Sequence, residues 1–365
     1  MARDLSTSAG SVGLTLTVFF IGMALGQVAG GAVSDQRGRR LPMVVGGLGC
    51  ALAPNIGVLM AGRLLQGLGG GAAAVVGHAV LVDLAHGSQL ASVMSVLMAL
   101  GALAPMIAPV AGGAVLSVGT WRMVFWFLVG FGLFMTMMAF FFVPESLPPE
   151  RRQSGGLRRL ARGVGELVTH RAYLGYMLTS AFSGFAMFAY ISSSSFVLQE
   201  INGLSPMTFS VFFACTAGSQ MLLSVLNARL VRHASPRRLI GLRLSISALG
   251  VAVVTLSVLV LEVALVPLCV GFLLVMSAQA FVFGNSSAMA LGMVPGLAGV
   301  ASAFLGVAQA VANGTSAPLA SSGGGQSAVP MVIVMLVGIV GAWTAYLVVG
   351  RAGHETHHLP QPRQR

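Results

Sequence analysis

From Val263 to Gly350 the chain runs for 88 residues without one aspartate, glutamate, lysine or arginine. A water-facing surface is not built from such a stretch, because soluble domains charge about one residue in four. A helix crossing the roughly 30 Å hydrocarbon core needs about 20 mostly apolar residues at 1.5 Å each. The stretch therefore holds three spans, broken near 292–299 and 321–327 where Pro, Gly and Ser gather. Across all 365 residues, 56% are hydrophobic and 8% are charged, with a mean hydropathy of +0.89. A soluble enzyme, a nucleic-acid binder and a disordered linker are all excluded. What remains is an all-α polytopic membrane protein.

Applied to the other charge-free stretches, the same length rule predicts eleven helices: 10–33, 41–53, 57–82, 90–117, 122–143, 172–197, 206–229, 238–260, 263–290, 298–320 and 328–350. The net charge of +11 tests that count, since every one of the 20 basic residues is arginine and cytoplasmic loops collect arginine. Seventeen of them fall in four clusters: Arg37–Arg40, Arg151–Arg171, Arg229–Arg243 and Arg351–Arg365. Four, two and four predicted spans separate successive clusters, so all four lie on one side. The basic linker at 144–171 and the tail at 351–365 are then expected on the cytoplasmic face of the membrane.

A repeat follows from the same arithmetic. Two spans precede the third cluster and four follow it, whereas one span precedes the first cluster and four follow. Two parallel six-helix halves, the first lacking its opening span, account for this pattern, and such halves are a recurring transporter layout. The expected units are an N-terminal bundle at 1–143, the linker, a six-helix bundle at 172–350 and the tail. Met1-Ala2-Arg3-Asp4 leads into a span with no signal-peptide core before it. Lacking lysine, the chain has no P-loop and no Schiff-base lysine. Transport would run on an ion gradient or on a separate ATPase subunit, with no cofactor. Cys50, Cys215 and Cys269 have neither disulfide nor metal spacing.

Several residues carry chemistry. Gly31, Asp35, Gly38, Arg39 and Arg40 form a tight hairpin with a carboxylate at the membrane edge. That carboxylate either latches a neighbouring helix N-terminus in one conformation or simply accompanies a topological arginine cluster; Asp83, His78 and His86 are further candidates for the latch. Arg63 lies inside a span, where an arginine costs roughly 2.5–3.5 kcal/mol on insertion scales, and Gln66 shares its helical face. The alternative is that Arg63 snorkels to the interface. Pro105, Pro109, Gly112 and Gly113 give one helix a bendable backbone and a flat, small face. Gly22, Gly26 and Gly30, spaced by four, read as a packing ridge. Among the uncharged polar residues within spans, Gln27, Tyr190, Asn285 and Gln309 are candidates to line a substrate cavity or to bond between helices. His354-Glu355-Thr356-His357-His358 fits a zinc-protease pattern but lies in a proline-bearing tail, so no metal site is expected.

Gly31-x-x-x-Asp35-x-x-Gly38-Arg39-Arg40 resembles the loop signature of the major facilitator superfamily. Arg63-x-x-Gln66-Gly67-x-Gly69 resembles its fourth-helix motif, and Pro109-x-x-Gly112-Gly113 resembles the fifth-helix motif of its drug:proton antiporters. Ala2-Arg3-Asp4-Leu5, Ala104-Pro105-Met106-Ile107-Ala108-Pro109, Trp121-Arg122 and Pro144-Glu145-Ser146-Leu147-Pro148 are similar to the bicyclomycin/chloramphenicol-resistance (Bcr/CflA) subfamily. The resemblance implies two pseudo-symmetric bundles around a midplane cavity and proton-coupled efflux of drug-like molecules. It further implies a proton-coupling role for Arg63, an antiporter seal at Pro105–Gly113, and a monomer whose partners are lipid, protons and a small substrate. The third span, 41–53, is shorter than in that family, and Glu262, Asp35 and Asp83 sit at membrane edges, so no proton carrier stands out. A truncated, inactive transporter and a membrane-embedded enzyme are the competing readings; the enzyme lacks paired intramembrane carboxylates, a metal cluster and a nucleophile elbow.

Overall fold

The computed structural model describes residues 4–5, 7, 9–37, 54–84, 107–108, 111–115, 118–142, 156–231, 233–294, 297–323 and 327–355. Ten long helices make up nearly all of this: α1 (Ala9–Arg37), α2 (Ile56–Leu84), α3 (Trp121–Phe142), α4 (Gly156–Thr169), α5 (Arg171–Ser195), α6 (Pro206–Leu230), α7 (Pro236–Leu259), α8 (Leu265–Gly292), α9 (Ala298–Ala320) and α10 (Val329–Glu355). No strand occurs among the described residues. Nine of the helices match nine of the eleven sequence-derived spans to within a few residues. The expected span 41–53 lies outside the described residues, and of 90–117 only short helical pieces at 107–108 and 111–115 are described.

Seven helices are long and apolar enough to cross a membrane among the described residues. Their apolar side chains do not all turn inward: Met207, Leu222 and Val266 are more than 70% exposed. In water such surface would aggregate, whereas lipid solvates it, as for a helix that is hydrophobic all round. Several hydroxyls on these helices bond back to their own backbone, as Thr179 Oγ1 donates to Gly175 O (2.8 Å) and Thr344 Oγ1 to Val340 O (2.8 Å). Such bonds let apolar helices carry serine and threonine.

Local signals set the helix starts. Ser205-Pro206 and Ser235-Pro236 open α6 and α7: the serine hydroxyls accept from Thr208 N–H (3.1 Å) and Arg238 N–H (3.3 Å), and proline occupies the first turn where no donor is needed. His170 caps α5 through Nδ1, which accepts from Tyr173 N–H (3.2 Å). This cap separates α5 from α4, an amphipathic helix within the stretch expected to be a basic linker. α4 packs against α9 and α1, and a Cβ on its Gly163 would touch the Val300 side chain.

Helix pairs approach through glycine. On α1, Gly22 and Gly26 face the backbone carbonyls of Leu64 and Leu68 on α2; in return Gly67 and Gly71 face those of Phe19 and Met23. A methyl group at any of the four would collide with backbone, so the pair is interlocked at the closest approach two helices allow. The ridge at Gly22 and Gly26 is thus a packing surface. α5 through α10 form a second group around Tyr173, Tyr176, Tyr190, Phe272 and Met335, all buried. The two groups meet where α1 lies along α9 and touches α5. There Thr17 Oγ1 donates to Gly314 O (2.6 Å), and Phe20 packs edge-on to Phe188 with ring centroids 4.9 Å apart.

Candidate functional site

Antiparallel threading puts the beginnings of α5, α7 and α9 and the ends of α6 and α10 at one end of the bundle. Arg171, Arg229, Arg237, Arg238 and Arg351 all lie there. That end is packed shut within the second group: Tyr173 Oη donates to Ala301 O (2.6 Å) and Tyr346 Oη to Arg237 O (3.0 Å). At the opposite end, a cavity of about 420 Å³ opens between the two groups of helices. Its walls are Val12, Gly13, Thr15 and Leu16 of α1, Arg63 of α2, Ser192, Ser193 and Ser195 of α5, Ala320 at the end of α9, and Ser321, Gly323 and Ser327 beyond it. Phe196 and Glu200 complete it.

Arg63 sits two turns into α2. Its Nη1 donates to Gln66 Oε1 (2.9 Å), an i, i+3 pair that the helical spacing anticipates. The guanidinium lies over the Phe125 ring at 4.6 Å and near the Phe19 ring at 5.9 Å. A planar cation held between aromatic faces keeps its charge at low solvation cost. Arg63 therefore stands in the wall of the cavity. Phe125 is itself fixed by Trp121, edge-on at 5.8 Å, whose indole Nε1 donates to Asp4 Oδ2 (2.9 Å).

The opposite wall has a feature that sequence reasoning missed. The last turns of α5 widen into a π-turn, Phe196–Ile201, which carries Glu200 on the cavity wall; turns of this kind recur at functional sites. Gln199 Nε2 donates to Ser195 Oγ (2.8 Å), and Asn202 N–H and Leu204 N–H close on Val197 O and Leu198 O. Gly203, at φ +69°, then reverses the chain into α6. Behind Glu200, Ser193 is 3% exposed, and its Oγ meets no partner among the described residues. The run Ser192–Ser195 next to a glutamate was the available signal.

The four expected cavity residues do not line this cavity. Tyr190 is fully buried, with its Oη 3.0 Å from Thr216 Oγ1 and its ring against Phe213 and Phe272. Asn285 exchanges two hydrogen bonds with Asn227, at 3.1 and 2.9 Å. Gln309 Nε2 donates to Ser180 Oγ (2.7 Å), and Gln27 abuts Gly306 across the α1–α9 contact. Their placements share one cause: an uncharged polar group inside a bundle reaches a neighbouring helix before it reaches a cavity. Gln279 behaves likewise, bonded to Ser183, whose Oγ donates to its Oε1 (2.9 Å).

The other motifs are only partly described. Gly31 and Asp35 occupy the last turns of α1, where the backbone alone is described, and the same holds for His78 and Asp83 on α2. Gly38, Arg39, Arg40, His86, Pro105 and Pro109 lie outside the described residues. In the helical piece 111–115, a Cβ on Gly113 would lie 3.3 Å from Ser210 Oγ of α6, whereas one on Gly112 would meet open space. Gly113 therefore lies beside the second group. No cluster of potential metal ligands occurs among the described residues.

Known proteins share this fold. Residues 1–317 match the Major Facilitator Superfamily. The chain is 32% identical over 346 residues to the uncharacterized MFS-type transporter YdgK of Bacillus subtilis, covering 92% of this chain and 86% of that one. It is 30% identical over 353 residues to the bicyclomycin resistance protein homolog of Haemophilus influenzae, covering 95% and 88%. The crystal structure of a D-xylose-proton symporter shares the fold with a TM-score of 0.70 at 15% identity, over 92% of this chain and 87% of that one. The chain belongs to the Major Facilitator Superfamily: it is an all-α, multi-pass membrane transporter of small molecules and not an enzyme.

Proposed function

We propose that the protein exports drug-like small molecules across the bacterial inner membrane in exchange for protons, acting as a monomer by alternating access. The observation that carries this reading is the cavity between the two groups of helices, open at the end opposite the arginine clusters, with Arg63 in its wall. With the arginine-rich loops and tail placed in the cytoplasm, the cavity opens outward and the closed end faces the cell. Substrate would enter from the cytoplasmic side in the alternate state and leave through this cavity.

Serines, a phenylalanine and an aliphatic wall suit a compact, partly apolar cargo with a few hydrogen-bonding groups. The relative from Haemophilus influenzae is named for bicyclomycin resistance, which makes bicyclomycin the first substrate to try. Asp35 with Gly38, Arg39 and Arg40 would form the cytoplasmic gate, and Pro105, Pro109, Gly112 and Gly113 the seal against leak. The proton gradient supplies the energy and no cofactor is needed.

Uptake of labelled bicyclomycin into proteoliposomes with an acidified interior tests the reading. Accumulation above equilibrium that collapses on adding a protonophore is the expected result. Equal uptake with and without the pH difference would reject proton exchange, and no uptake would reject this cargo.

A further inference from the structure

We infer that Arg243 binds the phosphate of an anionic phospholipid headgroup where α6, α7 and α8 meet, at the arginine-rich end of the bundle. The transport cavity opens at the other end, so this is a separate site with a separate occupant.

Arg243 follows Pro236, the first residue of α7, by seven positions, which places it about 10 Å along the helix. Its neighbours are apolar, with Leu242 exposed and Leu244 buried. A guanidinium within a span is costly unless an anion, a dipole or an aromatic face receives it. Phe281 of α8 receives one face, with the Arg243 Cζ 3.9 Å from the ring centroid. That ring belongs to a cluster in which Leu239 of α7 and Ala280 of α8 meet Leu223 and Leu230 of α6. The cation is therefore turned sideways, into the angle between three helices.

Stacking uses the flat face of the guanidinium and leaves its N–H donors unspent. Nε is buried and meets no partner among the described residues. One turn further along the same face, Ser247 is 1% exposed and its hydroxyl is equally without a partner among them. Arg63 shows the contrast: it too stacks on aromatic rings, but its Nη1 donates to Gln66. Nor does a described carboxylate balance the charge of Arg243. Asp4, Glu200 and Glu262 lie at the opposite end of the bundle, and Glu166 stands on α4, which packs against α9 and α1.

A phosphate fits what is left. Its oxygens accept from the guanidinium edge in paired hydrogen bonds while the ring keeps the face. A lipid can carry one there, because its acyl chains cover the apolar surface beside the site, where Leu222, Leu226 and Leu242 are exposed. Arg229 in the last turn of α6, with Arg237 and Arg238 in the first turn of α7, stand at the same end and favour an anionic headgroup over a neutral one. Basic recesses between spans bind such headgroups by the same charge complementarity.

The test uses the purified full chain in a neutral detergent, with phosphatidylglycerol as the probe and native mass spectrometry as the readout. Wild type retains phosphatidylglycerol in preference to phosphatidylcholine, whose choline cancels the phosphate charge. Arg243→Gln lowers the retained phosphatidylglycerol about fivefold or more. Arg243→Lys, which keeps the charge but loses the planar fork, falls between the two. Arg238→Gln, at an exposed arginine of the same end, loses less than about twofold, because water and salt screen an exposed charge. Wild-type retention by Arg243→Gln overturns the inference. An equal loss in Arg238→Gln overturns it too, by reducing the effect to general attraction between a basic end and anionic lipid. Displacement of the lipid by excess inorganic phosphate overturns the lipid assignment in favour of a soluble anion. Equal retention of the two lipids by wild type rejects the site without recourse to any variant.

Discussion

Asn227 and Asn285 face each other across α6 and α8 and exchange two hydrogen bonds, Asn227 Nδ2 to Asn285 Oδ1 at 3.1 Å and Asn285 Nδ2 to Asn227 Oδ1 at 2.9 Å. Both are buried. The pair closes on itself and leaves little capacity for a ligand. Asn285→Ala removes one amide and strands the other, so it costs about 1–2 kcal/mol of stability. Because each single change already breaks both bonds, Asn227→Ala/Asn285→Ala costs little more than either alone. Thermal unfolding in detergent measures the non-additivity, and an unchanged affinity for substrate separates this role from a cavity contact.

Gly67 has no space for a side chain, because the Phe19 carbonyl of α1 occupies it, whereas Gly70 one turn along has nothing within 4 Å. Gly67→Val therefore forces α1 and α2 apart and abolishes the monodisperse protein. Gly70→Ala is tolerated and gains roughly 0.5–1 kcal/mol of helix propensity. Fluorescence-detected size exclusion of the two variants reads the difference.

Arg63→Ala removes the cavity's positive wall and abolishes proton-driven export while expression persists. Arg63→Lys keeps a charge but loses the planar fit over Phe125 at 4.6 Å, so it retains only part of the transport. Asp35→Asn, at the last turns of α1, abolishes resistance as well if the gate is where the motif places it. Drug-resistance assays beside membrane immunoblots check all three; resistance unchanged in both Arg63→Ala and Asp35→Asn would remove the mechanism.

Ser193 lines the cavity with a buried hydroxyl that meets no partner among the described residues. Ser193→Ala therefore leaves stability unchanged. It weakens substrate binding by about 0.5–1.5 kcal/mol if that hydroxyl serves the cargo. The readout is a raised KM for transport with the melting temperature held.

Thr169 and Ser322 lie at opposite ends of the bundle, both exposed. With the native cysteines replaced by serine, Thr169→Cys reacts with an impermeant maleimide only after the cytoplasmic face is opened. Ser322→Cys reacts in intact cells. The reverse pattern would invert the topology and with it the direction of transport.

Nine of the eleven spans were legible in the sequence because the bilayer imposes a length and a polarity that arginine-free stretches announce directly. Arg63 with Gln66 was legible too, since an ionised group within an apolar helix is rare enough to declare itself. Tyr190, Asn285, Gln309 and Gln27 were not. Helices such as α6 and α8 are apolar on every side, so their pattern does not separate a face toward lipid from one toward a partner or a cavity. An asparagine reads the same in each setting. α4 was hidden for a related reason: its arginines marked a linker, and its apolar face had meaning only once α9 and α1 were there to receive it. Residue chemistry thus settled the class and the family of this protein. The packing of one helix group against the other chose Ser193 and Glu200 as walls of the cavity, because a cavity exists only between surfaces that the chain brings together from positions far apart in sequence.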